Sequence, residues 1–437
     1  MAVPGMGAAP YWELSFDADG DVDGGQRDRL LREAPERGVK DLIVFAHGRY
    51  DDPSGADRFQ NRFLGLFPGL APHARLGYAG VVWPSMRFMD EALPGAGPAA
   101  AQAGPALDKG TLGALLDVFP GRATLIDQLS RMLDRQPAEE AALAEFGRLV
   151  RLLVALRPEA PQAAFAADTR AEEHPGDEPA MLVGDPVPTC RALTPARQRP
   201  IGANGAAADP VGFPEVWHGA HELLRQAAYF AMKRRAGAVG ERGLGRVVGR
   251  LARSAPGLRV HLVGHGAGGR LVSFALRGLP RGVRTVKSVT LLQAAFSHYA
   301  FAPRLPHDAR DGGVLSGFQN RIDGPLVCCY SRHDTALGTF YPPASRRAGG
   351  TRPAADPGRP GPPEDRWGAL GHDGILAVPG TRAFGHAEAL RTPLPVSGCV
   401  SVDASAVVRE GGPPAGAHHD VCRPELARVV LAAGRIR

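Results

Sequence analysis

The stretch HLVGHGAGGRL runs from His261 to Leu271 and reads as a buried strand that turns sharply into a helix. A strand–turn–helix of this kind carrying G-x-S-x-G holds a serine hydroxyl out at the turn as a nucleophile. Here the five positions are Gly264, His265, Gly266, Ala267 and Gly268. The frame is present and the hydroxyl is not. Glycine at Gly266 has no atom to attack with, and it relieves the turn, because a positive φ is cheap for glycine and costly for serine. The plainer reading is a glycine-rich connection between strand and helix. A phosphate loop fits less well, since the lysine with serine or threonine of a P-loop is missing and the spacing is not GxGxxG.

Other reactive side chains follow short apolar runs in the same way. His47-Gly48-Arg49 follows DLIVFA, and Pro84-Ser85 follows GVVW. Gln293 and then Phe296-Ser297-His298 follow VTLL. Ser331, Arg332, His333 and Asp334 follow PLVCC, and Asp403 follows CVSV, with His418-His419-Asp420 further on. In a doubly wound sheet the site forms beyond the carboxyl ends of the strands, where all of these residues would gather. Each has a plainer role too. Asp334 would cap a helix or pair with Arg332, His418 and His419 would be loop histidines, and His298 would pack beside Tyr299 or line a pocket. His333 and His372 each precede an aspartate, but no matched ligand spacing points to a metal site.

The elements that must position these residues alternate between strand and helix. Tyr11–Phe16, Asp41–Ala46, Gly80–Trp83, Arg259–Val263, Val286–Leu292, Pro325–Cys329 and Cys399–Val402 read as strands. Val216–Arg235, Gly245–Ser254, the SFALRGL segment and Pro424–Ala433 read as helices. This order predicts an α/β fold with a mostly parallel sheet and helices on both faces. Between residues 91 and 215 the character changes, and this long loop-rich and helical insertion is a candidate cap. Leu112, Leu115, Leu116, Leu125, Leu129 and Leu133 give helical spacing over Thr111–Leu156, divided by Pro120-Gly121 and Pro137 into three helices. From Pro158 to Pro214 the abundance of Pro, Ala and Gly predicts loops with weak internal order. The chain thus divides into 1–90, the first part of a core; 91–215, the insertion; and 216–437, the part with elbow, acid and histidine.

An elbow, an acid beyond the next strand but one, and a late histidine is the chain order of nucleophile, acid and base in the α/β-hydrolase fold. On these motifs the sequence resembles the α/β-hydrolase fold family, in particular an actinobacterial-type group within it, over most of the chain outside the insertion. The resemblance implies that Gly266 occupies the nucleophile position. It implies Asp334 as the triad acid and His418 as the base, with His419 the neighbouring candidate. Ala267 and Arg49 would supply oxyanion N–H groups, with His47, Gly48, His265, Ser85, Ser297 and His298 around the pocket. Two departures matter. Gly266 removes the catalytic atom, and Arg49 puts a cation where the family often has tryptophan. The resemblance therefore implies a catalytically silent relative of serine esterases and lipases that binds a small acyl or carbonyl ligand and needs no cofactor. Two alternatives stand beside it. One is an active esterase using Ser85, Ser297, Ser331 or a histidine-activated water. The other is a protein-interaction module working through the insertion.

Composition narrows the classes further. The 437 residues are 44% hydrophobic and 22% charged, which suits a globular chain rather than a disordered one. The net charge of +6 would hint at an anionic partner. However, the only lysines are Lys40, Lys109, Lys233 and Lys287, and the arginines are spread along the chain. That bias, with the excess of Ala, Gly and Pro, reads as GC-rich coding rather than a nucleic-acid surface. Cys190, Cys328, Cys329, Cys399 and Cys422 lack CxxC spacing, and as buried free thiols they suit a reducing cytoplasm. No signal peptide and no apolar run long enough for a membrane span is read from the sequence. A kinase reading fails, since the chain has no VAIK lysine, HRD loop or DFG, and the composition-biased insertion leaves the substrate open.

Overall fold

The computed structural model describes residues 8–48, 53–88, 90, 104–157, 159–170, 178–198, 215–346 and 366–437. Eight strands form one sheet: β1 Tyr11–Ser15, β2 Asp41–Ala46, β3 Leu76–Val82, β4 Arg259–His265, β5 Val286–Leu292, β6 Pro325–Tyr330, β7 Arg382–Gly385 and β8 Gly398–Asp403. Their order is β1-β3-β2-β4-β5-β6-β8-β7, and every ladder is parallel. Parallel strands are covered on both faces, which explains continuous apolar runs rather than alternation. All six residues of β2 are buried. Leu42, Val44 and Ala46 join the core on one face, while Ile43 and Phe45 join the core on the other. Cys328 and Cys329 divide in the same way.

The chain steps backward twice along the sheet, from β2 to β3 and from β7 to β8, and the first step sets the centre. From β2 the chain moves outward to β3, then returns to the other side of β2 with β4 and continues through β5 and β6. At such a switch point the loops after the two central strands diverge and leave a crevice at their carboxyl ends. Here those strands are β2 and β4, which end at His47-Gly48 and at the Gly266 turn.

Two strands differ from the sequence expectation. The strand expected at Gly80–Trp83 begins earlier, at Leu76, because LGYAG is buried throughout and small residues interrupt its apolar signal. The short strand β7 was not expected: RAFG is mostly exposed, as an edge strand with one neighbour is.

The insertion contains the three expected helices, Lys109–Val118, Ala123–Arg135 and Glu140–Val154. The segment 158–214, expected to be loops with weak order, is instead largely helical where it is described. It holds Pro161–Phe165, Ala180–Val183 and Pro186–Gln198. Proline sits in the first turn of two of these helices, where its missing N–H costs nothing. The helix that follows packs close against this segment: a β-carbon at its Gly219 would stand 1.9 Å from the Cys190 carbonyl oxygen.

The next helix, Val216–Ala238, continues through a π-helical turn, Val239–Leu244, into Gly245–Ser254. The glycines of GAVGERGLG do not break it. A β-carbon at Gly240 would lie 2.2 Å from the Leu271 carbonyl oxygen, and one at Gly245 would lie 2.5 Å from that of Ala275. These glycines let this long helix lie directly on the helix that follows the elbow, Ala267–Gly278.

The insertion is tied to that elbow helix by a buried ionic cluster. Arg270 is fully buried and pairs with Asp168 of the insertion. Its guanidinium also donates to the carbonyls of Phe165 and Ala167 at 2.9 and 2.7 Å. It lies between the rings of Phe274 and Phe296, 4.7 and 4.5 Å from their centres. Lys233 Nζ and the Tyr341 hydroxyl meet the other Asp168 oxygen at 2.6 and 3.2 Å. Leu115, Leu129, Leu149 and Leu193 of the insertion share one continuous core with Leu42, Val44 and Leu262 of the sheet.

Candidate functional site

At the end of β4 the backbone turns at Gly266 with φ 55° and ψ −125°, and the helix Ala267–Gly278 starts at the next residue. This is a sharp and strained turn for any residue with a side chain. The Gly266 carbonyl accepts the N–H groups of Gly269 and Ala295 at 3.0 and 2.9 Å, and its own N–H donates to Leu292 at 3.2 Å. The flanking glycines are needed for a different reason. A β-carbon at Gly264 would stand 2.4 Å from the Gly268 carbonyl oxygen, and one at Gly268 would stand 2.0 Å from that of Ala46. They let strand, turn and helix pack at backbone contact. At Gly266 itself a β-carbon would meet only His418 Nε2 at 3.1 Å and Gly48 Cα at 3.5 Å within 3.6 Å. The direction a side chain would take from Gly266 therefore leads to a histidine nitrogen.

That histidine is held from behind. His418 Nδ1 lies 2.8 Å from Asp334 Oδ2, and both side chains are buried. A carboxylate only accepts hydrogen bonds, so Nδ1 carries the proton and Nε2 keeps its lone pair. His418 Nε2 is buried and has no hydrogen-bond partner among the described residues. The other Asp334 oxygen accepts the Leu337 N–H at 3.0 Å, so Asp334 both orients the histidine and caps its own turn. Arg332 pairs with Asp373 instead. His418 sits in a short 3-10 turn, Gly416–His419. Gly416 has φ 60° and is pressed against the loop of Asp334: a β-carbon there would lie 2.5 Å from the His333 carbonyl oxygen. The Ala417 N–H donates to that same carbonyl at 2.9 Å. The loops of Asp334 and His418 are thus clasped by backbone as well as by side chain.

Two further histidines close on the turn. His265 Nε2 donates to the backbone carbonyl of His418 at 2.8 Å. The His265 and His418 rings lie 5.0 Å apart, as do those of His418 and His419. Gly48 approaches the start of the elbow helix closely, so that a β-carbon on it would stand 3.0 Å from the Ala267 nitrogen. Ala267 opens that helix, where N–H groups of the first turn have no partner within the helix. The His47 carbonyl accepts the Trp83 indole N–H at 3.0 Å, fixing the loop after β2. Arg49 lies outside the described residues.

Two of the three candidate replacement serines are engaged elsewhere. Ser331 Oγ donates to the Val408 carbonyl at 2.6 Å and accepts the His333 N–H. Ser297 Oγ accepts the Tyr299 N–H at 3.2 Å and faces a small cavity shared with Asp168, His307 and Trp367. Ser85 is buried, and its hydroxyl has no hydrogen-bond partner among the described residues. His298 packs on Tyr299 with ring centres 4.0 Å apart. Its Nδ1 also pairs with Asp373, which takes His372 and Arg332 as well. Burial alone would raise the Asp373 carboxyl, but the hydrogen bonds from His298 and His372 outweigh it and hold the group well below the usual carboxylate range.

Three features escaped the sequence reading. First, His265 and the His418–His419 pair come together across some 150 positions, a convergence that no local spacing announces. Second, His261 links Ser288 and Asp41: Nδ1 is 2.8 Å from the serine hydroxyl and Nε2 is 2.9 Å from the carboxylate. These are the residue types of a triad, but they lie within the sheet, with His261 and Ser288 paired across β4 and β5 and almost no surface on either. Burial lowers the His261 pKa despite its carboxylate partner. A neutral ring donating from Nε2 and accepting at Nδ1 satisfies both neighbours, so the group is a structural bridge. Third, Gln293 adopts φ 39° while fully buried, and neither side-chain amide atom has a hydrogen-bond partner among the described residues. The thiols are inert by contrast, since burial pushes Cys190, Cys329 and Cys399 up to about 12. Comparison with known protein families, with curated proteins and with solved structures finds no match to this chain.

Proposed function

We propose that this chain is an α/β-hydrolase-type protein that keeps the acid and base of an acyl-transfer triad and lacks the nucleophile. In this reading Asp334 orients His418, and His418 Nε2 faces the place where a serine hydroxyl would stand. The observation that carries it is the 3.1 Å from a β-carbon position on Gly266 to His418 Nε2, at a backbone turn with positive φ. A serine there would lose its proton to His418 as its oxygen bonded to an acyl carbon. The Ala267 N–H, at the start of a helix, would receive the developing oxyanion charge. With Gly266 no acyl-enzyme forms, and the pocket serves to bind a small acyl or carbonyl ligand.

A second reading is favoured by the same unpartnered nitrogen. His418, backed by Asp334, could draw a proton from a water and direct it at an ester. Hydrolysis of p-nitrophenyl butyrate separates the two readings. The unaltered chain, Gly266→Ser, and Gly266→Ser with His418→Ala are assayed side by side. The first reading expects turnover from Gly266→Ser alone, at least roughly 10²-fold above the other two. Turnover by the unaltered chain that disappears in His418→Ala would select the water. Inactivity of all three, with the fold intact, would remove both.

A further inference from the structure

A triad needs one histidine, and this turn gathers three. One ring nitrogen from each of His265, His418 and His419 lies within 4.8 Å of the other two, and all three residues are buried. Their ring centres are 5.0, 5.0 and 5.9 Å apart. Three imidazoles around a tetrahedral dication, with nitrogens about 2.0–2.1 Å from it, have ring centres roughly 5 Å apart. Ligand nitrogens on such an ion stand about 3.3 Å apart, so nitrogens that lie within 4.8 Å of one another here close by up to about 1.5 Å on binding.

The outer partners of the rings point the same way. Histidine ligands are oriented by a carboxylate or backbone carbonyl that takes the proton of the other ring nitrogen. His418 has Asp334 on Nδ1, which leaves the Nε2 lone pair as its donor. His265 gives its Nε2 proton to the His418 carbonyl, which puts its lone pair on Nδ1. His418 Nε2 is a buried nitrogen with nothing to bond among the described residues, an expensive state unless something is bound there. Neither His265 nor His419 has a proton-transfer role in the reading above.

We propose that His265, His418 and His419 form a binding site for a transition-metal dication of the zinc class. An all-imidazole donor set suits zinc, copper or nickel rather than magnesium or calcium. Glycine at Gly266 is what opens the site. A β-carbon there would stand 3.1 Å from the very nitrogen the cation needs, and a serine hydroxyl would compete for its lone pair. A nucleophile at this turn and a metal on His418 are therefore mutually exclusive. The proposal shares His418 with the reading above but does not require that the chain ever hydrolysed an ester.

The test is titration of the full-length chain, freed of any affinity tag and stripped with a chelator, with cobalt(II) and then zinc(II). The expected result is one cobalt per chain with intense visible bands of tetrahedral type, displaced by zinc. His265→Gln and His419→Gln should each weaken binding at least roughly tenfold, and Asp334→Asn by about 10–100-fold through the lost outer partner. Gly266→Ser should weaken it as well. Failure of the unaltered chain to develop these bands overturns the proposal whatever the variants do. So does unchanged affinity in natively folded His265→Gln and His419→Gln. If cobalt does not bind but Gly266→Ser hydrolyses esters, the metal site alone is wrong. If cobalt binds and Gly266→Ser is inert, the hydrolase reading alone is wrong.

Discussion

From Gly266 a side chain would leave the backbone toward His418 Nε2, the nearest atom a β-carbon would meet, whereas at Gly264 and Gly268 it would collide with main chain. The three glycines of one motif thus have different reasons to be glycine, and substitution should separate them. Gly268→Ala forces a β-carbon onto the Ala46 carbonyl oxygen, so strand β2 or the elbow helix must shift, at a cost of about 1–3 kcal/mol or more. Gly266→Ser meets only the far end of a histidine, which can yield by a few tenths of an ångström. Its cost is the positive φ, about 1–3 kcal/mol, with the fold retained. Chemical denaturation of the two variants beside the unaltered chain checks this. A Gly266→Ser protein that fails to fold while Gly268→Ala is unaffected would reverse the assignment.

At the scale of elements, the elbow helix is held from two sides. The long glycine-lined helix lies against it, and Arg270 reaches from it into the insertion. Removing one partner of a buried pair leaves the other charge stranded, at about 3–5 kcal/mol. Asp168→Ala should therefore lower the unfolding free energy by about that much and loosen the insertion. Faster protease cleavage within 104–198 would report it, and unchanged stability would show that the Phe165 and Ala167 carbonyls suffice for Arg270. How far these elements were legible in sequence depends on what signals them. The buried strands β2, β4, β5 and β6 announce themselves as apolar runs, and Asp334 and His418 were legible because they follow strands in a meaningful order. The helicity of Pro186–Gln198 and of GAVGERGLG was not legible. There Pro186 and Pro188 lie in a first turn, Pro195 stands further along the same helix, and the glycines make helix contacts, and only tertiary packing distinguishes those uses from loops. The approach of His265 to His419 is likewise a product of sheet order, since β4 and the segment after β8 are brought together by elements far apart in the chain.

For the whole molecule, one parallel sheet that switches direction around β2 places Gly48, Gly266, Asp334 and His418 at the same edge, all following strand ends. Among the described residues no helix is long and apolar enough to cross a membrane. The opposite requirement, a sheet interior free of unpaired polar groups, is met at His261, which is buried neutral between Ser288 and Asp41. Its pKa in the folded chain lies below the ordinary 6.5, chiefly through burial. The unfolded chain therefore binds the proton more readily. The stabilisation is complete above about pH 6.5 and declines as pH falls below it toward the folded value. Melting temperatures measured from about pH 8 to pH 5 should drop on the acid side, and His261→Gln should flatten that drop. An acid limb identical in the variant would assign the loss to other groups.

The account rests on one geometric claim: a hydroxyl at position 266 would be activated by His418 and Asp334. A fluorophosphonate probe tests it without knowledge of the substrate. Gly266→Ser, the unaltered chain, and Gly266→Ser with Asp334→Asn are incubated with the probe and read by intact mass and peptide mapping. The account predicts one adduct, on the new serine, in the first protein only. An adduct on Ser85, Ser297 or Ser331 of the unaltered chain, or a folded Gly266→Ser that takes up no probe, would contradict it.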